Sequence, residues 1–274
     1  MGMKLINGKT PKKTVVMGAL LAVLFGVGSV SGATSANELL RSGDTVGMTF
    51  WIATAMMFAA TIFFILERQS VAPKWRTSMT VAALVTGVAW YHYTYMREAW
   101  AYTYGATLDA TGTGVGDSPL VLRYVDWLIT VPLQVAEFYL VLAAVGAVTT
   151  ALFFRLFGAS LVMLIAGFLG EAGEADEMMM FGIGLLAWFY IIYEIWAGDA
   201  KSAADTTSEG TQFAFKAMAV ILTAGWAIYP IGYFLGTGDN PDVDSLNILY
   251  NLADSVNKVA FGLMVWYAAT MDSE

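Results

Sequence analysis

The sequence predicts an all-α fold, a bundle of seven transmembrane helices with the N-terminus outside and the C-terminus in the cytoplasm. Three observations predict it. The 274 residues are 58% hydrophobic and only 13% charged, against about 25% charged residues in an ordinary soluble domain. Seven segments reach the ~20 mostly apolar residues that a helix needs to cross the hydrocarbon core. Lysine and arginine gather in alternate connections, as the cytoplasmic loops of a multi-pass protein require.

The chain begins with KLINGKTPKK, VVMGALLAVLFGV and SVSGATSA, the order of charge, short apolar core and small residues of a secretory signal. Residues 1–33 are therefore expected to be cleavable, with an extra membrane helix as the alternative, and residues 34–274 to form one domain. The spans are expected at Thr45–Glu67, Thr77–Trp100, Pro119–Leu142, Val148–Leu169, Met178–Ala197, Gln212–Leu235 and Leu246–Thr270. Arg68, Lys74 and Arg76 lie between the first two, Arg155 near the start of the fourth, and Lys201 and Lys216 around the fifth-to-sixth connection; these connections are expected to be cytoplasmic. The other connections carry Asp109 and Asp117, then Glu171, Glu174, Asp176 and Glu177, then Asp239, Asp242 and Asp244, and are expected outside. The connection AYTYGATLDATGTGVGDS lacks a helical period and reads as an outer loop. Pro230 is expected to kink the sixth span.

Composition also excludes function classes. Without cysteine there is no disulfide framework and no thiolate metal site, and a single histidine cannot build a multi-histidine metal cage. With a net charge of −8 and no basic stripe interleaved with aromatics, nucleic acid is not an expected partner.

Ionisable groups at bilayer depth are costly and mark function, and the short list is His92, Arg97, Arg123, Asp126, Glu137, Asp254 and Lys258. Arg97 and Glu137 lie nearer to span ends than the others, where a charged head can snorkel to the interface. In NLADSVNKVAFGLMVW, Asp254 and Lys258 are one turn apart on one face. They form either a structural ion pair or an amine poised to condense with an aldehyde, with a carboxylate to stabilise the protonated imine. In LRYVDWLITVPLQVAEFYL, Arg123, Asp126, Thr130 and Glu137 follow in order. Asp126 and Glu137 share a face, separated along the axis by ~16 Å. If odd spans run inward, the amine meets Asp126 and Asp254 on its outer side. Glu137 then lies on its inner side, in a stretch of Val, Ala, Phe and Leu where a carboxyl is expected to stay protonated at rest. That order already suggests outward proton movement. Trp127, Trp226 and Tyr229 cluster at the same depth, as packing or as a pocket. His92 lies at a depth like that of Asp126 and is either a satisfied core histidine or a hydrogen-bond partner that tunes that carboxylate.

The blocks RYVDWLITVPLQVAEFYL, WAIYPIGY, YEIWAGDAKSA and LYNLADSVNKVAFGL resemble the microbial (type 1) rhodopsins, and the proteorhodopsins most closely, over essentially the whole mature chain. The resemblance implies all-trans retinal bound to Lys258 as a protonated Schiff base. It implies Asp126 as proton acceptor and counterion, Asp254 as second counterion, Glu137 as proton donor and His92 as the partner of the acceptor. Arg123 and Thr130 belong to the same pathway, and Tyr93, Trp127, Trp226 and Tyr229 to the retinal pocket. Gln134 stands where the family tunes colour, and glutamine there resembles the blue-absorbing members. The implied function is a light-driven outward proton pump, not an enzyme, in the inner membrane of a prokaryote. Its partners would be the lipid bilayer and protons, in a homo-oligomer that is a pentamer or hexamer. A light sensor of the same fold is the alternative. Two features depart from the family: the outer loop after the second span looks longer, and Met178–Met180 begins the fifth where an aromatic is expected.

Overall fold

The computed structural model describes residues 40–145 and 148–273; the expected signal, residues 1–33, lies outside them. The described elements are helical: α1 (Thr45–Glu67), α2 (Arg76–Ala106), α3 (Leu120–Ala144), α4 (Thr150–Glu171), α5 (Glu177–Trp196), the short α6 (Asp199–Ala204), α7 (Glu209–Val220), α8 (Ile228–Gly236) and α9 (Val243–Met271). The sixth span is α7 and α8 together, so seven spans are present. Four helices start on a side chain that accepts a free N–H of the first turn: Asp44 from Gly47, Asp176 from Met179, Ser208 from Thr211 and Asp242 from Ser245.

Five of the spans are long and apolar enough to cross a membrane. The exceptions, α2 and α9, have 31 and 29 residues, enough to cross at 1.5 Å per residue. They fall short in hydropathy because polar and aromatic residues interrupt them, among them His92 and its neighbouring tyrosines in α2 and Asp254, Asn257 and Lys258 in α9. Consecutive spans pack on one another, and α9 packs against α1, α2, α3, α7 and α8, which places its polar face at the centre of the bundle.

Two expectations need correction. The loop after the second span does not begin at Ala101, because α2 continues to Ala106. Buried aromatics anchor its last turns: Trp100 packs on Phe50 at 6.0 Å and donates its indole N–H to the Asp44 carboxylate at 3.0 Å. The connection then folds back on the helix. Thr107 donates its hydroxyl to the Val115 carbonyl at 2.6 Å and accepts the Val115 N–H at 2.7 Å, and Gly116 lies so close to the Trp100 ring that a Cβ would sit 2.7 Å from it. The irregularity of the sixth span also starts earlier than Pro230. Ile221–Gly225 is a π-helical segment, followed by a turn at Trp226 and Ala227. Pro230 has no N–H for the Trp226 carbonyl, which takes the Tyr229 N–H at 3.1 Å instead. The proline thus falls in the first turn of α8, where it is tolerated.

The seam between α1 and α9 is tight at Gly262, where a Cβ would lie 2.4 Å from the buried ring of Phe64. Overpacking of this kind costs about 1–3 kcal/mol, whereas removing a glycine from a helix returns at most about 1 kcal/mol. Gly262→Ala is therefore expected to lower the midpoint of thermal unfolding in detergent; an unchanged or raised midpoint would mean that Phe64 yields without cost.

Candidate functional site

On α9, Asn247, Asn251, Asp254 and Lys258 follow at steps of four, three and four residues, a single helical stripe, and all are buried. On α3, Arg123, Asp126, Thr130, Gln134 and Glu137 are likewise buried. The two stripes meet at Lys258. Its Nζ lies 2.6 Å from Asp126 Oδ2 and 3.2 Å from Asp254 Oδ2, with all three side chains at most 1% exposed.

The two carboxylates are held differently. Asp254 accepts the Tyr93 hydroxyl at 2.8 Å, the Tyr229 hydroxyl at 2.7 Å and the Trp127 indole N–H at 3.1 Å. Its charge is shared among three neutral donors besides the amine. Asp126 has the shorter contact with Lys258, and its Oδ1 has no hydrogen-bond partner. A proton leaving Nζ therefore finds in Asp126 the nearer carboxylate, to which no other side chain donates within hydrogen-bond distance among the described residues, and in Asp254 one already accepting three other hydrogen bonds.

His92 faces Asp126, the carboxylate with which it is expected to pair. His92 Nδ1 is 3.6 Å from Asp126 Oδ1, longer than an N–H···O bond, and 2.9 Å from the carbonyl of Val88 one turn earlier on α2. Because a carbonyl can only accept, Nδ1 carries a hydrogen. Thr130 donates to the backbone carbonyl of Asp126 at 3.0 Å and so braces α3 at the acceptor.

On one side of the amine, Arg123 is fully buried and, among the described residues, has no carboxylate within ion-pair distance. It donates to Tyr93 at 3.2 Å, Asn247 at 2.9 Å and Asn251 at 3.1 Å. Tyr93 donates its own hydroxyl hydrogen bond to Asp254, so the guanidinium is linked to the site through one hydroxyl. With Arg123, Lys258, Asp126 and Asp254 the cluster carries two charges of each sign, the balance a dry interior needs. On the other side Glu137 is fully buried, with Ser78 of α2 facing it and, among the described residues, no cation within ion-pair distance. Arg97 stands apart from the site, with its guanidinium 4.0 Å above the Trp51 ring.

An apolar slot with about 700 Å³ of empty space, counting the part open to the surroundings, lies between α3, α4, α5, α8 and α9. Trp127, Trp188, Trp226, Tyr229, Met163 and Met180 are in its wall. Trp127 and Tyr229 line the slot and also donate to Asp254, whose carboxylate lies 3.2 Å from Lys258. An elongated hydrocarbon with a terminal aldehyde fits this site: aromatic walls for the chain, an amine for the carbonyl carbon and two acids for the resulting charge. Tyr93 and Gln134, both expected in the pocket, do not line the slot. Tyr93 is engaged with Asp254 and Arg123, and Gln134 is buried with its Nε2 unpartnered.

Several participants went unnoticed in the sequence. Asn247, Asn251 and Tyr250 lie on the turns before Asp254, and extending the Asp254–Lys258 stripe outward would have found them. Glu171 reads as a loop acid but is the last residue of α4, bonded by Tyr124 and Tyr250. Met180, in the run that departs from the family, is part of the slot wall.

A family profile described as Bacteriorhodopsin-like protein matches residues 44–271. A green-light absorbing proteorhodopsin of an unknown prokaryotic organism is 48% identical over 94% of this chain and 99% of its own length. The crystal structure of blue light-absorbing proteorhodopsin from Med12 is 51% identical and covers 83% of this chain and 98% of that one, with a TM-score of 0.69. The structure of xanthorhodopsin, described as a light-driven ion pump with dual chromophore, is 26% identical over 87% of this chain and 96% of that one, with a TM-score of 0.74.

Proposed function

The chain belongs to the bacteriorhodopsin-like proteins, a family of multi-pass membrane proteins that bind retinal, and from that premise we propose that it is a light-driven pump moving protons outward. The observation that carries the reading is the asymmetry at Lys258: Asp126 makes the shorter contact with the nitrogen and, among the described residues, accepts a side-chain hydrogen bond from nothing else, while Asp254 accepts three further ones. All-trans retinal, bound to Lys258 as a protonated Schiff base, supplies the absorption of light and the isomerisation that drives the cycle.

The residues do the rest. Asp126 takes the proton held at Lys258 Nζ, and Asp254 keeps its charge because three donors stabilise it. Glu137 lies ~16 Å from Asp126 along α3 and returns a proton to Nζ from the opposite side. The direction of transport follows from that order and from the basic connections, which place Glu137 on the cytoplasmic side. Arg123 fixes Tyr93 and through it Asp254, and its fixed charge on the outer side favours release of the proton from Asp126. The relatives, one of them described as a light-driven ion pump, favour transport over sensing. With Gln134 buried on α3 we assign the chain to the blue-absorbing type. Its place is the inner membrane of a prokaryote as a homo-oligomer, a pentamer or hexamer, with the bilayer and protons as partners and no enzymatic activity.

Illumination of retinal-loaded cells in unbuffered medium tests this reading through the pH of the medium. Glu137→Gln is expected to leave absorption and the first proton transfer intact and to slow recovery of the dark state at least tenfold, as read by flash photolysis. Recovery at the unaltered rate would remove Glu137 from the donor role.

A further inference from the structure

The cycle described above makes no use of Glu171, yet each of its carboxylate oxygens accepts a tyrosine hydroxyl. Tyr124 of α3 donates to one oxygen at 2.7 Å and Tyr250 of α9 to the other at 3.2 Å. Among the described residues no lysine or arginine forms an ion pair with it. Both tyrosines line the slot, and each sets its ring edge-on against Trp127, with centroids 5.0 and 5.1 Å apart and interplanar angles of 73° and 81°. Trp127 in turn donates to Asp254, 3.2 Å from Lys258. An unbroken series of contacts therefore runs from the end of α4 to the amine.

The surroundings hold the carboxylate in place. Arg123 of α3 and the hydroxyls of Tyr124, Tyr250 and Tyr233 are the charged and titratable groups facing it. Gly236 of α8 would bring a Cβ to 3.2 Å from Glu171 Oε1, and Gly170 one to 2.0 Å from the Tyr233 hydroxyl. Tyr233 is anchored to the Glu177 carbonyl at the start of α5, at 2.8 Å.

We propose that Glu171 is a positioning residue for the chromophore site: its carboxylate anchors Tyr124 and Tyr250, these clamp Trp127 from two sides, and Trp127 sets how strongly Asp254 acts on the charge at Lys258. The proposal rests on the reading of the slot as the retinal site. An ionised carboxylate accepts two hydroxyl donors at once. A glutamine keeps one acceptor oxygen and turns an amide donor toward the second tyrosine, and a leucine accepts neither. With the clamp released, the indole N–H bond to Asp254 lengthens and the carboxylate charge is less shared. Asp254 then holds the positive charge at the nitrogen more tightly. Excitation moves that charge away from the nitrogen, so the energy gap widens and absorption moves to shorter wavelength.

The test is the visible absorption maximum of the purified, retinal-loaded protein in wild type, Glu171→Gln, Glu171→Leu, the double variant Tyr124→Phe with Tyr250→Phe, and the triple variant that adds Glu171→Leu. The expected result is a shift to shorter wavelength in each, smaller for Gln than for Leu. The triple variant should be displaced no further than the double, because Glu171 acts through the tyrosines. A general loss of packing would not give that non-additive pattern. Should Glu171→Leu fail to fold, Glu171→Gln and the double variant decide the matter alone. Wild-type maxima in the variants, or additive shifts in the triple, would overturn the proposal while leaving the pump reading intact. A wild-type protein with no visible band would overturn the retinal reading and this proposal with it.

Discussion

Asp126→Asn is expected to reduce light-driven acidification to background while leaving a coloured protein. The substitution keeps the shape of the side chain and removes its charge and its ability to take the proton from Lys258 Nζ, 2.6 Å away. Asp254 does not stand in for it, because Tyr93, Tyr229 and Trp127 already occupy its oxygens. Two further consequences follow from the same geometry. Losing the nearer anion weakens the field on the chromophore nitrogen, so absorption moves to longer wavelength. Removing one partner of a buried charge pair costs about 3–5 kcal/mol, so the variant is expected to melt earlier. Proton release by cells carrying Asp126→Asn, measured with a pH electrode against wild type at equal pigment, checks the first. Pumping at half the wild-type rate or more would mean that another group accepts the proton.

Lys258→Arg is expected to abolish the visible band altogether. Arginine preserves the positive charge between Asp126 and Asp254, and with it much of the electrostatic balance of the cluster. A guanidinium does not deprotonate and so does not condense with an aldehyde. The variant separates the two readings of the lysine that its spacing from Asp254 leaves open. A structural ion pair tolerates arginine and keeps the protein's colour, whereas a covalent anchor leaves it colourless after retinal is added. The absorption spectrum of the variant, with circular dichroism to show that the helices have formed, reads the outcome. A visible band comparable with that of wild type would exclude Lys258 as the anchor.

The parts of the fold that sequence made legible were those governed by length and apolarity. The first span was placed to the residue, since Asp44 caps it and the charged run at Arg68 follows it. The end of α2 was not, because Gly, Thr and Asp after Trp100 look like a loop unless one knows that Trp100 reaches the Asp44 cap. The break in the sixth span followed the same pattern. A proline announces a local disturbance, but where the helix gives way depends on Gly225, against which Asn257 packs so closely that a Cβ would be 2.0 Å from its Oδ1.

In the site, spacing within one helix was informative and contact between helices was not. The step of four between Asp254 and Lys258 and the order Arg123, Asp126, Thr130, Glu137 come directly from the helical repeat. Which hydroxyls satisfy Asp254, and how His92 Nδ1 sits between the Val88 carbonyl and Asp126, depend on how α2, α3 and α8 are rotated about their axes, and no periodicity in one chain encodes that. Glu171 illustrates the limit best. By sequence it belongs to an acidic connection; only the packing of α3 and α9 on the end of α4 shows two tyrosines converging on it.

The central claim, that the order of acids around Lys258 moves protons outward in light, is tested most directly in an unbuffered suspension of cells that make the protein and are supplied with retinal. The account predicts that the medium acidifies within seconds of illumination, recovers in the dark, and shows no such change when an uncoupler makes the membrane permeable to protons or when Lys258→Arg replaces the wild type. Alkalinisation in light would reverse the assigned direction, and an unchanged pH from cells containing the coloured protein would contradict pumping itself.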